Sequence, residues 1–255
     1  MPEQDDVIGV VPARYGSTRF PGKPLVPIAG RPMIEHVYER ASRASLISEV
    51  IVATDDRRIM DAVRAFGGKA MMTSAGHASG TDRVMEVAKT LQAPYYVNIQ
   101  GDEPLINPDH IDACARALLE GAAMSTLSAR IRWRHEVFDR NVAKVLIDRE
   151  GYAICFSRSA IPFPGKFLAR GEDIDLECSP YFRHVGVYGY TLATLRALSA
   201  AGECELERTE LLEQLRALYL GIRMKVEIVD SVTPHVDVPG DLDEVERTIN
   251  AKGNG

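Results

Sequence analysis

The sequence predicts an α/β fold: a mostly parallel sheet with helices on both faces and an antiparallel insertion. Three observations carry this. Short apolar runs recur through the first half, as expected of strands buried on both faces. Segments with apolar residues at helical spacing separate them, which implies parallel pairing through right-handed crossovers. The second half changes rhythm, with two strand-like runs flanking Asp148-Arg-Glu-Gly151 as in a hairpin. No repeat, linker or low-complexity tract divides the 255 residues, so a single domain over 1–255 is expected.

Each element has its own local reason. Val7-Ile-Gly-Val-Val11 is an apolar run ended by Pro12, hence a buried strand. A helix over 32–44 follows, with Pro32 suited to a first turn and Ile34, Val37, Tyr38 and Ala41 on one face. Val50-Ile-Val-Ala53 is the next strand, and Ile59, Ala62, Val63 and Phe66 mark a helix closed by Gly67-Gly68. A helix over 79–91, a strand over 95–99 and a helix over 109–119 complete the first half. Beyond it, a hairpin over 142–147 and 152–156 precedes a Pro- and Gly-rich stretch, 157–180, expected to be irregular. A strand over 184–190, a helix over 207–220, a strand over 224–229 and a closing helix over 239–251 end the chain. Asp241, Asp243 and Glu244 favour the dipole of that last helix.

Composition narrows the function classes. Thirty Lys and Arg against 36 Asp and Glu give a net charge of -6, which argues against a nucleic-acid coat or an anionic-membrane binder. Stretches free of charged residues reach 12 residues, short of the roughly 18–20 that span a bilayer. The acidic start of the chain does not read as an export signal. Cys114, Cys155, Cys178 and Cys204 show no paired spacing, so disulfides and zinc are not expected and a reducing cytoplasm fits.

Against this acidic background, residues 7–34 carry four cations (Arg14, Arg19, Lys23, Arg31) and no acid. The core of the segment is Pro12-Ala-Arg-Tyr-Gly-Ser-Thr-Arg-Phe-Pro-Gly-Lys-Pro-Leu25. It follows the first strand, where open α/β sheets bind ligands, and its glycines allow close backbone approach. The reading is a polyphosphate cradle rather than a solvated basic loop. It is neither a P-loop, since Pro24 stands where a metal-binding hydroxyl belongs, nor a dinucleotide fingerprint, which disfavours an oxidoreductase. Any metal must then be held by acids elsewhere. Asp102, in Gln100-Gly-Asp-Glu-Pro104 at a strand end, is one candidate and equally an ordinary turn acid. Asp237, in His235-Val-Asp-Val-Pro-Gly-Asp-Leu242, is a second; its plainer reading is an N-cap or a turn acid just before the last helix. Spacing does not show whether the two meet.

The cradle segment closely resembles the first motif of the 3-deoxy-manno-octulosonate (Kdo) cytidylyltransferases, the CMP-Kdo synthetases. So do His77-Ala-Ser-Gly-Thr-Asp-Arg83, Val97-Asn-Ile-Gln-Gly-Asp-Glu-Pro104, Arg183-His-Val-Gly-Val-Tyr-Gly-Tyr190 and Leu206-Glu-Arg-Thr-Glu-Leu-Leu-Glu-Gln-Leu-Arg216. Val236-Asp-Val-Pro-Gly-Asp-Leu242 resembles the last motif, with Val238 and Gly240 departing from the usual Thr and Glu. The resemblance runs from about residue 7 to about residue 250, in family order.

It implies a nucleotide-diphospho-sugar transferase-like fold, CTP and an acidic eight-carbon sugar as substrates, Mg²⁺, a homodimer, and activation of Kdo for lipopolysaccharide synthesis. The insertion around 142–190 is expected to form the sugar pocket and dimer contacts. By the same resemblance Arg14, Ser17, Arg19 and Lys23 hold the CTP phosphates, with Arg19 and Lys23 stabilising the departing pyrophosphate. Asp102 and Asp237 hold magnesium, and Ser79, Gly80 and Thr81 meet the cytidine. Gln100, Arg158, His184, Tyr188, Glu213 and Gln214 form the sugar pocket. From the residues alone, Tyr188 could be core, Glu213 a solvated face and His184 a satisfied strand histidine. A cytidylyltransferase for an amino-Kdo or a nonulosonic acid, or a nucleotide-binding regulator without turnover, are the alternative functions.

Overall fold

The computed structural model describes residues 6–16, 20–77, 79–165 and 180–253. In chain order, strand β1 (Val7–Ala13) leads through the short antiparallel pair β2 (Pro27–Ile28) and β3 (Arg31–Pro32) into helix α1 (Met33–Ala41). Strand β4 (Glu49–Thr54), helix α2 (Arg57–Ala65) and strand β5 (Ala70–Met72) follow. Next come helix α3 (Gly80–Leu91), strand β6 (Tyr95–Asn98) and helix α4 (Pro108–Leu119). Strand β7 (Met124–Arg130) and the short helix α5 (Arg134–Phe138) lead to the hairpin of β8 (Lys144–Ile147) and β9 (Ala153–Ser157). The chain ends with strand β10 (Phe182–Thr191) and helices α6 (Leu192–Ala201), α7 (Glu205–Glu210) and α8 (Leu215–Tyr219), then strand β11 (Met224–Val229) and helix α9 (Leu242–Gly253).

The main path of the sheet is β11-β7-β10-β6-β1-β4-β5. β5, β4, β1 and β6 are parallel, as are β7 and β11; β10 runs antiparallel between β6 and β7. The hairpin joins through β8, which pairs with the start of β10. This is the expected mostly parallel sheet with an antiparallel part.

Two cores follow from strand alternation. Val7, Val11, Val50, Val52, Val97 and Ile99 turn to one face, against Ile34 and Val37 of α1, Ile59 and Val63 of α2, and Ile111 and Cys114 of α4. Ile8, Val10, Ile51, Ala53 and Tyr96 turn to the other, against Val84 and Val87 of α3, Leu195 of α6 and Leu215 of α8. Helices thus cover both faces. Their starts are chemically specified: Asp56 caps α2, Ser79 caps α3, and Asn107 with Pro108 opens α4.

The structure departs from expectation in several elements. β7 and α6 have no counterpart in the sequence reading. β7 carries three buried hydroxyl residues, Ser125, Thr126 and Ser128, which break its apolar run and leave no clear strand pattern. Bonds to neighbouring elements satisfy two of these hydroxyls, Ser125 on the Cys114 carbonyl of α4 at 2.7 Å and Thr126 on the Val187 carbonyl of β10 at 2.9 Å. The single helix expected over 207–220 is two, α7 and α8, broken at Leu211, which has φ +54°. The closing helix begins at Leu242, after a 3-10 turn over Pro239–Asp241. Of the stretch expected to be irregular, 166–179 lies outside the described residues.

Candidate active site

The cleft lies at the carboxyl ends of β1 and β6. Pro12, Ala13 and Arg14, Lys23 and Pro24, His77, Ser79 and Gly80, Arg83, Gln100 to Asp102, and Asp237 line it, and its volume is about 250 Å³. Main-chain geometry builds it. The Gly22 N–H donates to the Tyr15 carbonyl at 2.9 Å, drawing the two ends of 15–22 together, and Gly22 has φ +73°. Lys23 follows in a 3-10 turn over Lys23–Leu25 and so faces the cleft. Gly101 is packed so tightly that a Cβ there would lie 2.6 Å from the Pro12 carbonyl oxygen. Only glycine lets the Asp102 turn sit directly on β1.

Asp102 and Asp237 meet. The Val236 N–H donates to the Asp102 carbonyl at 2.9 Å, which brings the chain before α9 onto the β6 turn. Lys23 then binds both sides: its ammonium donates to Asp102 Oδ2 at 2.8 Å and the Val236 carbonyl at 2.7 Å, and lies 3.8 Å from Asp237 Oδ1. The capping work that Asp237 could have done belongs to Asp241. Asp241 Oδ2 accepts from the main-chain N–H groups of Asp237 and Val238, at 2.7 and 2.9 Å, and these bonds hold its carboxyl below the usual range. Both site acids are about one-third exposed. Among the described residues they form the oxygen donor set that could hold a hard cation. Neighbouring Glu103 is buried, and burial, with Asp102 beside it, pushes its carboxyl up to about 7.

The nucleotide-side residues divide. Arg14 is exposed on the cleft wall. Ser17 and Arg19 lie outside the described residues. Ser79 and Gly80 reach the cleft, but the Ser79 hydroxyl is engaged in the α3 capping box with Asp82. Thr81 is turned away. Its hydroxyl lies 3.3 Å from the Tyr190 hydroxyl, in a second, small cavity of about 10 Å³.

That second cavity collects part of the expected sugar set: Tyr188, Glu213 and Gln214 line it with Thr81 and Tyr190. The Tyr188 hydroxyl donates to Gln214 Oε1 at 3.2 Å. Gln214 Nε2 and Glu213 Oε1 are buried without a hydrogen-bond partner, a cost that a polar ligand would remove. Burial pushes the Glu213 carboxyl up, only partly offset by the Thr81 and Ser79 hydroxyls. Gln100 stands in the first cleft and donates from Nε2 to the Gly186 carbonyl at 2.8 Å, within the irregular stretch of β10. His184 shares that strand face. Its Nε2 lies 3.0 Å from the Thr126 hydroxyl, its ring packs edge-on to Phe156, and burial lowers its pKa to about 3, so it is neutral. Arg158 stands apart at the end of β9 and reaches the α7–α8 break: Nε donates to the Glu210 carbonyl at 2.8 Å and Nη2 to the Leu211 carbonyl at 3.2 Å.

Arg83, His77 and Thr126 stand in this region beside the expected set. Arg83 is buried on the cleft wall, tied to Asp55 at 2.5 Å and to the Thr73 hydroxyl at 2.7 Å, so it anchors the start of α3 to the ends of β4 and β5. His77 also lines the cleft and is paired with Glu86. Both belong to the motif His77-Ala-Ser-Gly-Thr-Asp-Arg83, which was the available signal. Thr126 gave no signal, since its role depends on the neighbouring strand.

Comparison with known proteins sets the class first. Residues 8–226 match the family model described as cytidylyltransferase. The chain is 48% identical over 254 residues to a 3-deoxy-manno-octulosonate cytidylyltransferase of Geotalea daltonii, covering 97% of this chain and 99% of that one. A 3-deoxy-manno-octulosonate cytidylyltransferase of Trichlorobacter lovleyi is 47% identical over 247 residues, covering 94% and 97%. A solved CMP:2-keto-3-deoxy-manno-octonic acid synthetase complexed with CTP superposes with TM-score 0.89 at 40% identity, covering 97% of this chain and 99% of that chain. The chain belongs to the cytidylyltransferase family, and within it to the 3-deoxy-manno-octulosonate cytidylyltransferases.

Proposed function

We propose that this enzyme transfers CMP from CTP to the anomeric hydroxyl of Kdo, releasing pyrophosphate. The observation that carries the reading is the meeting of Lys23, Asp102 and Asp237 at the strand ends, in a chain this close to named Kdo cytidylyltransferases. The C2 hydroxyl oxygen forms a bond to the α-phosphorus and gives its proton to solvent, while the bond between that phosphorus and its bridging oxygen breaks and the electron pair leaves with pyrophosphate. Little covalent chemistry falls to the protein, so its work is positioning and charge stabilisation. Arg14 and Lys23, with Ser17 and Arg19 by resemblance, hold the triphosphate. Ser79 and Gly80 meet the cytidine part. Gln100, Arg158, His184, Tyr188, Glu213 and Gln214 orient the sugar acid. No side chain is assigned as general base.

The two site acids suit Mg²⁺, which takes oxygen ligands and commonly binds through one or two carboxylates with substrate phosphates and water. When bound, the ion supplies charge to the α-phosphate and the attacking oxygen. A homodimer, with the 142–190 region contributing to it, belongs to the same proposal on family resemblance. So does a cytoplasmic location, which the free thiols of Cys114, Cys155 and Cys204 support. Among the described residues no helix is long and apolar enough to cross a membrane.

The test is pyrophosphate release from CTP with Kdo, 8-amino-Kdo and a nonulosonic acid in parallel, with and without Mg²⁺. Turnover greatest with Kdo and lost on chelation is expected. Preference for another sugar acid overturns the substrate assignment. CTP binding without turnover on any sugar overturns the enzymatic one.

A further inference from the structure

Lys144, on β8, is fully buried, yet its side chain ends in a cation. Its ammonium donates to three main-chain carbonyls: Asp139 at 2.8 Å, Val142 at 2.7 Å and Arg158 at 2.8 Å. That saturates its three donors. Among the described residues no carboxylate lies within ion-pair distance of it. Burying an ammonium is unfavourable unless its donors are satisfied; here three carbonyls satisfy them and the nearby Asp139 and Glu210 carboxylates favour the charge, whereas an apolar side chain of similar length would leave those carbonyls without their donor. What the ammonium alone supplies is the convergence of three carbonyls from two separate stretches of chain.

All three belong to the frame of Arg158. One is its own carbonyl. The other two bracket Arg140, whose carbonyl accepts from Arg158 Nη1 at 3.0 Å. The Arg158 main-chain N–H donates to Glu210 Oε2 at 3.0 Å, and Glu210 Oε1 accepts from Ser157 Oγ at 2.7 Å. One side of the Arg158 anchorage therefore runs to Lys144. The other runs to the α7–α8 break, which is followed at once by Glu213 and Gln214.

We infer that Lys144 is a positioning residue for recognition of the acidic sugar: it gathers the Asp139, Val142 and Arg158 carbonyls, and so sets the orientation in which the Arg158 guanidinium meets the sugar carboxylate. This rests on the proposed reading of Arg158 as a sugar-acid ligand. Lys144 touches neither substrate; it acts through Arg158.

The experiment measures KM for Kdo and for CTP separately, with thermal midpoints, for the intact enzyme and for Lys144→Met, Lys144→Gln, Lys144→Arg and Arg158→Lys. Lys144→Met is expected to raise KM for Kdo on the order of tenfold, because a displaced binding group loses its alignment, while KM for CTP stays within about twofold. Lys144→Arg, which keeps a cation with several donors, should recover part of the loss. If Lys144→Met fails to fold, Lys144→Gln carries the same expectation. A lowered thermal midpoint with both KM values unchanged in the folded variants assigns Lys144 to stability alone and overturns the inference. Arg158→Lys separates the two levels. An unchanged KM for Kdo in that variant overturns the reading of Arg158 itself; a raised one, beside unaffected Lys144 variants, overturns only the role of Lys144.

Discussion

Lys23 touches Asp102 Oδ2 and the Val236 carbonyl at once, so a single ammonium ties the β6 turn to the segment before α9. The main-chain bond from Val236 to Asp102 does not depend on either side chain. Asp102→Asn should therefore fold normally while turnover falls by about 10²-fold or more, since one of the two carboxylates that would hold the metal ion is neutralised. Pyrophosphate release at near wild-type rate from that variant removes Asp102 from the machinery. His184 makes a different prediction. Its pKa is lowered to about 3 by burial, against an ordinary value of 6.5. Between those values the unfolded chain takes up a proton that the folded chain refuses, so this residue lowers stability as pH falls from about 6.5 toward 3. His184→Gln should lessen the drop in urea midpoint between pH 7.5 and pH 5. An identical drop in both proteins shows that the imidazole is not held neutral.

At the scale of elements, local pattern identified most strands and helices, because their apolar residues repeat with a period the chain carries in itself. It failed where partners elsewhere decide the outcome. Met124-Ser-Thr-Leu-Ser-Ala-Arg130 does not read as a buried strand until Cys114 and Val187 offer carbonyls to its hydroxyls. The amphipathic stretch 207–220 reads as one helix, yet Leu211 at φ +54° divides it and its carbonyl goes to Arg158. That break sets Glu213 and Gln214 against Tyr188, an arrangement that one continuous helix over 207–220 does not convey. Leu211 is 74% exposed, and a left-handed conformation costs a residue with a Cβ roughly 1–2 kcal/mol. Leu211→Gly should leave the thermal midpoint unchanged or raise it, with a gain of at most about 1 kcal/mol after the glycine's extra chain entropy. A clear fall in the midpoint shows that the Leu211 side chain, not its backbone, holds the break.

For the whole molecule, the net charge of -6 and the cation-rich 7–34 segment form one arrangement. Positive charge is gathered where Arg14 and Lys23 line the cleft, while the chain as a whole stays acidic. An anionic nucleotide is then drawn locally and repelled elsewhere. Apparent KM for CTP should rise with salt between about 0.05 and 0.5 M, as the Debye length falls below 10 Å. Arg14→Ala should flatten that dependence. A KM for CTP indifferent to salt shows that the cleft field does not act on the nucleotide. The same molecular view separates two kinds of information. The α/β class, the order of most elements and the chemistry present are legible in the chain alone: a basic glycine-containing loop, two acids at strand and helix ends, and polar residues set among apolar ones. Those are local properties of composition and period. That Asp102 and Asp237 face one lysine, that Thr81 turns from the cleft toward Tyr190, and that buried Lys144 stands behind Arg158 are properties of the folded arrangement. Each depends on which distant segments the sheet order brings side by side, and no periodicity within one segment encodes its neighbours.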